Sequence, residues 1–275
     1  MNDVVSNADD DPHETALSST LWSRLDEHDL DWIVPDWPAP SRVCAVMTTR
    51  NADHDAGVRR SMNLGRATEA VVVEVERNRA LLAKVVGVDS LWLSQTHGIG
   101  VANADTAPQL VGADAAVARM PGRAAAVRVA DCMPVLFSSV DGDVVAAAHA
   151  GWRGLNAGVL EATVREMRVP TRDVIAWLGP AIGPRAFEVG DDVRAAFCEN
   201  DDDASGAFMP YLGRPGKWLA DLYALARMRL RRAGVESIHG GGECTYTDAL
   251  RFFSYRRDGS MERMAALIWI DDASP

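Results

Sequence analysis

The alternation of apolar and polar positions divides the chain into strands and helices before any chemistry is considered. Residues 42–48 (RVCAVMT), 91–94, 124–129, 134–138, 144–149, 174–178, 237–239 and 265–270 are short apolar runs bounded by turn residues, and they predict strands. Residues 71–86 place Val75, Leu82 and Val86 on one side at helical spacing. Residues 156–167, 191–198 and 217–232 also predict helices, the last closed by Gly234. Residues 17–40, rich in Trp and Pro, read as a short helix running into extended chain, whereas 51–60 (NADHDAGVRR) and 199–216 read as polar loops. Helices and strands interleave without strict βαβ periodicity and without an internal repeat. The expected fold is α/β of the mixed α+β kind: one domain over residues 15–275 with a mixed sheet and flanking helices. Residues 1–14, polar and acidic, are expected to be a disordered tail.

Composition narrows the partners. There are 39 acidic against 28 basic residues, a net charge of -11, so a broad phosphate-backbone binder is excluded and no nucleic-acid partner is expected. No apolar run approaches the ~18 residues of a membrane span. The first residues, MNDVVSNADDDPHE, have neither a basic stretch nor an apolar one, so no secretory signal is read and the expected location is cytoplasmic. Cys44, Cys132, Cys198 and Cys244 are too widely spaced for a CxxC site and read as reduced thiols. Gly98-Ile99-Gly100 starts like a dinucleotide fingerprint, but Asn103 stands where a small residue is required. Arg227–Arg232 (RMRLRR) reads as the solvated face of an amphipathic helix.

Three segments remain: SQTHG around His97, VADCMP around Cys132 and AAAHAGWRG around His149. Each runs an apolar strand into a metal-type or nucleophile-type residue beside Gly or Asp. Singly, each suits a packed core residue. Together, two His and one Cys at the C-terminal ends of predicted strands lie on the edge where α/β proteins place their sites. Two chemistries compete. The trio is either a three-ligand zinc site with an open fourth position, or Cys132 is a nucleophile activated by a neighbouring His. Arg153, in Gly151-Trp152-Arg153-Gly154 at a strand-to-helix turn, suits a phosphate or carboxylate pocket; the alternative is a structural ion pair.

The ordered motifs TTR (48–50), NLG (63–65), SQTHG (94–98), ADCMP (130–134), HAGWRG (149–154), LGPAIGPRAFEVG (178–190) and FFSYRRDG (252–259) resemble the YfiH/YlmD family. That family, once labelled laccase-like multicopper polyphenol oxidase, is related to mammalian FAMIN. The resemblance spans residues 42–270 and implies a cysteine-hydrolase-like core, zinc on His97, Cys132 and His149, and substrate contacts from Arg50 and Asn63. It implies phosphorolysis of adenosine, inosine, guanosine and methylthioadenosine, with adenosine deamination. For some bacterial members it implies peptidoglycan editing, the hydrolysis of UDP-MurNAc precursors carrying L-Ser in place of L-Ala. Small molecules are therefore the expected partners, and a monomer the expected state. Asn51-Ala52-Asp53-His54 replaces the usual Gly-Gly-Val-Ser, Phe187 a common Tyr, and Glu262 a usual Gly. A multicopper oxidase needs more imidazoles than the six His of this chain supply, although the trio would also accept copper(II). A non-enzymatic scaffold is the third class, to be recognised by absence of metal and turnover.

Overall fold

Most long strands of the chain are apolar on both faces, and the structure buries both. The computed structural model describes residues 14–55, 58–65, 71–199 and 201–272. One sheet has the order β1 (Val43–Met47), β15 (Met264–Ile270), β7 (Arg123–Val129), β4 (Asp89–Leu91). A second has the order β14 (Ser237–Gly240), β10 (Val174–Leu178), β8 (Met133–Ser139), β9 (Val145–Ala150), β6 (Ala115–Ala118), β5 (Val101–Asn103). Both sheets mix parallel and antiparallel pairs.

Alternation along each strand sorts its side chains into separate cores. In β7, Ala125, Val127 and Val129 meet Leu136 of β8 and Val145 and Ala147 of β9 between the sheets. Ala124 and Ala126 face outward, against helices α1 (Glu14–Glu27) and α2 (Val72–Val86) through Leu25, Leu82 and Val85. On the far side, Val135, Phe137, Ala146 and Ala148 pack beneath helices α4 (Val159–Met167), α5 (Asp191–Cys198) and α6 (Leu222–Arg232). The result is a four-layer α/β/β/α sandwich. The mixed α/β expectation holds, with two stacked sheets where the sequence suggested one.

Several element boundaries differ from the expectations. Residues 51–60 are not a simple loop: β2 (Asn51–Asp55) and β3 (Val58–Ser61) pair antiparallel. Their polar sequence carries no apolar alternation, and backbone pairing leaves no such mark. Residues 217–232 are not one helix. Lys217–Ala220 is strand β13, held between β11 (Glu188–Gly190) and β12 (Phe208–Pro210), and Asp221 then caps α6 by accepting from Ala224 N at 2.9 Å. Residues 156–167 divide at Gly158, whose φ of 102° ends α3 (Trp152–Ala157) before α4 starts. Residues 92–94 leave the sheet after Leu91, because Trp92 N donates to Gln109 Oε1 and Ser94 N to Val111 O. The tail expected over residues 1–14 falls almost wholly outside the described residues; Glu14 opens α1. Among the described residues no helix is long and apolar enough to cross a membrane.

Candidate metal centre

His97, Cys132 and His149 come from three separated segments and meet at one end of the space between the sheets. Cys132 precedes β8 and His149 is on β9, where His149 pairs across to Pro134. His97 is on the loop after β4. That loop is fixed by Gln95, which donates to Arg128 O at 2.9 Å and accepts from Arg128 N at 2.9 Å. His97 itself adopts a left-handed φ of 61°. The ligand atoms of the trio all lie within 4.8 Å of one another, with His97 Nε2 3.8 Å from Cys132 Sγ.

Asp114, the residue before β6, organises this site and is fully buried. Its Oδ1 accepts from His149 Nδ1–H at 2.9 Å and from His97 N at 2.9 Å. Its Oδ2 accepts from Thr96 N at 3.0 Å, Thr96 Oγ1 at 3.1 Å and Gly98 N at 2.7 Å. One carboxylate thus folds the His97 loop and fixes the His149 tautomer, leaving Nε2 for a cation or the thiolate. Burial works against the Asp114 charge, but the bonds from His149, Gly98 and Thr96 prevail and hold its carboxyl well below the usual range.

The remaining electrostatics suit a thiolate. Burial pushes the Cys132 thiol up, yet the two imidazoles outweigh it and bring the pKa down to about 6. Burial likewise opposes the charge on His149, and the Cys132 thiolate with Asp114 lifts its pKa to about 9. Without a cation the pair is thiolate and imidazolium at neutral pH. Binding of a divalent ion would release the His149 proton. A tetrahedral zinc with one sulfur and two nitrogen ligands needs N···S separations of about 3.5 Å, close to what His97 and Cys132 present. His149 is buried whereas His97 is exposed, so the trio retains an open side. Three donors of this kind, one of them buttressed by a carboxylate, fit a zinc ion with a free position. A Cβ at Gly151 would lie 2.8 Å from Cys132 Sγ and 2.9 Å from His97 Cδ2, so glycine is required there.

The three expected substrate contacts lie in different settings. Arg153 is exposed, stacks 4.4 Å over Trp152, and has no carboxylate partner among the described residues. Arg50 lies 5.1 Å over Phe253 and donates to Ala249 O at 2.6 Å. Asn63 is buried, its Oδ1 accepting from Gly65 N at 2.8 Å and Arg263 N at 3.2 Å. The Arg263 guanidinium is half-buried; burial lowers its pKa, and the charges of Cys132 and then Asp131 act the other way. Asp114 and Arg263 escaped sequence reasoning. A lone Asp in the small apolar run VGADAAVA was the available signal for the first.

A sandwich of this topology with one carboxylate-buttressed His/Cys/His cluster corresponds to a known class. Residues 44–271 match the family described as multi-copper polyphenol oxidoreductase laccase. The chain belongs to that family, and it is an enzyme of the YfiH branch. It is 48% identical over 241 residues to a purine nucleoside phosphorylase of Pseudomonas aeruginosa, covering 88% of this chain and 99% of the relative. It is also 48% identical over 241 residues to the purine nucleoside phosphorylase YfiH of Escherichia coli, covering 86% and 98%. A Neisseria meningitidis crystal structure superposes with a TM-score of 0.81 at 46% identity, covering 88% of this chain and 99% of that one. YlmD from Geobacillus stearothermophilus gives 0.70 at 27% identity, covering 84% and 92%.

Proposed function

We propose that the protein is a zinc-dependent purine nucleoside phosphorylase acting on adenosine, inosine, guanosine and methylthioadenosine, with adenosine deamination as a companion activity. The observation that carries this reading is the 48% identity, over nearly the full length, to relatives named purine nucleoside phosphorylase. The described residues hold one group suited to a metal, His97, Cys132 and His149, which speaks against a several-copper oxidase.

Phosphorolysis forms a bond from a phosphate oxygen to the sugar C1′ and breaks the bond from C1′ to the purine nitrogen. The base departs with the bonding electrons. The reaction needs a held phosphate and fixed positive charge beside it. When bound, zinc supplies a Lewis-acid centre at the trio. Asp114 keeps His149 oriented, and the Gly151 turn leaves room against Cys132 and His97. The Arg153 guanidinium, held over Trp152 and without a carboxylate partner among the described residues, offers paired donors for phosphate. Arg50 and Asn63 are assigned to substrate on the family resemblance, and Arg263 is tied to Asn63 through its backbone N–H, which donates to Asn63 Oδ1.

Purified protein with inosine and phosphate is expected to release hypoxanthine and ribose 1-phosphate. Equal hypoxanthine release with phosphate omitted would instead identify a hydrolase. Arg153→Ala is expected to raise the KM for phosphate about tenfold or more while leaving metal content unchanged. Parallel loss of metal would show Arg153 to be a support of the site.

A further inference from the structure

Asp131, the residue before Cys132, is held from three directions. It is buried and adopts a left-handed φ of 81°, a conformation that few residues other than glycine, Asn and Asp take up. Its Oδ1 accepts from Thr245 Oγ1 at 2.7 Å, its Oδ2 from Arg256 N at 2.6 Å, and its carbonyl from Ile182 N at 2.9 Å. Thr245 and Arg256 belong to one segment, residues 245–258, which ends in helix α7 (Tyr255–Asp258). Arg257 clasps that segment, donating to Thr245 O at 2.8 Å, Tyr246 O at 3.0 Å and Phe252 O at 2.8 Å. From the opposite side Arg50 donates to Ala249 O, and Asn51 Nδ2 donates to Leu250 O at 3.1 Å. The segment is therefore a strap fastened at Asp131 beside the trio and at Arg50 where substrate is proposed to sit.

We propose that Asp131 is a positioning residue, whose carboxylate fixes the direction of the Cys132 thiol and keeps it in register with the 245–258 strap. The inference rests on the reading of Cys132 as a site residue. Neither oxygen of Asp131 faces the trio through a hydrogen bond; both are used on the strap. The left-handed turn at Asp131 is held by these bonds and by Ile182 N on its carbonyl. A carboxylate retained only for the turn would be replaceable by glycine, which adopts this φ without cost.

Asp131→Gly and Thr245→Val separate the two roles, with Thr245→Ser as the conservative control. Zinc affinity, measured by chelator competition, is expected to fall about 10–100-fold in Asp131→Gly and by a smaller factor in Thr245→Val. The kcat for inosine phosphorolysis is expected to fall with it while KM changes less than about threefold, and Thr245→Ser is expected to restore both. Wild-type zinc affinity and kcat in Asp131→Gly would overturn the proposal. So would a loss confined to thermal stability in Thr245→Val, which keeps the thiol's own residue intact should Asp131→Gly fail to fold. A wild-type protein that neither binds zinc nor cleaves inosine would defeat the underlying site reading, and this inference with it.

Discussion

Cys132→Ala is expected to abolish phosphorolysis and to remove the bound metal together, whereas Cys44→Ala and Cys198→Ala leave both in place. Among the described residues the thiol at 132 is the one sulfur grouped with both imidazoles, and its pKa of about 6 keeps it ionised at neutral pH. Removing it leaves two protein nitrogens, too few to hold a catalytic geometry. Cys44 sits in β1, where burial followed by the charge of Asp271 pushes its thiol up to about 12, so it is an inert packing group. Cys198 closes α5, half-buried against the helical core. Replacing either costs packing of about 1 kcal/mol and no chemistry. Cys244 is an intermediate case. Its sulfur accepts from Gly183 N at 3.2 Å, and Gly183 leaves only 3.0 Å for a Cβ against it. Cys244→Ala therefore loosens the turn beside Thr245 and is expected to lower activity modestly. Elemental analysis and phosphorolysis on the four variants read this directly; near-normal turnover in Cys132→Ala would remove the basis of the site.

Asp114→Asn is expected to reduce metal affinity and kcat by about 10–100-fold without changing the fold. Five donors converge on this carboxylate, and three of them are backbone N–H groups that can only donate. Asparagine keeps one oxygen and turns the other position into an NH₂ donor. Placed at Oδ2, that NH₂ meets Thr96 N and Gly98 N; placed at Oδ1, it meets His97 N and drives His149 toward the wrong tautomer. Each buried donor left without a partner costs about 1–3 kcal/mol, which the His97 loop would relieve by shifting. Metal competition and steady-state kinetics would show it, and an Asp114→Asn enzyme at full activity would mean that His149 needs no fixed tautomer.

The trio was legible in the sequence because each member ends or follows an apolar run beside glycine or Asp, and three such runs are conspicuous together. Its buttress was not. Asp114 lies 35 residues from His149, and a single acid in an alanine-rich run carries no period. Strands 124–129, 144–149 and 174–178 were legible because burial on both faces makes them continuously apolar. That same continuity hides which face meets which core, so the second sheet was not foreseen. Ala115–Ala118 was missed because alanine marks strands poorly. Lys217–Ala220 read as helix since pairing with β11 and β12 leaves no local signature.

His97, Cys132 and His149 are proposed to hold a metal on which phosphorolysis depends. Stripping the purified protein with a chelator, then restoring zinc stepwise while following inosine cleavage, tests it most directly. About one zinc per chain is expected at full activity, with activity lost in proportion to the metal removed and recovery complete at one equivalent. Full phosphorolysis in protein shown by elemental analysis to hold no metal would contradict it.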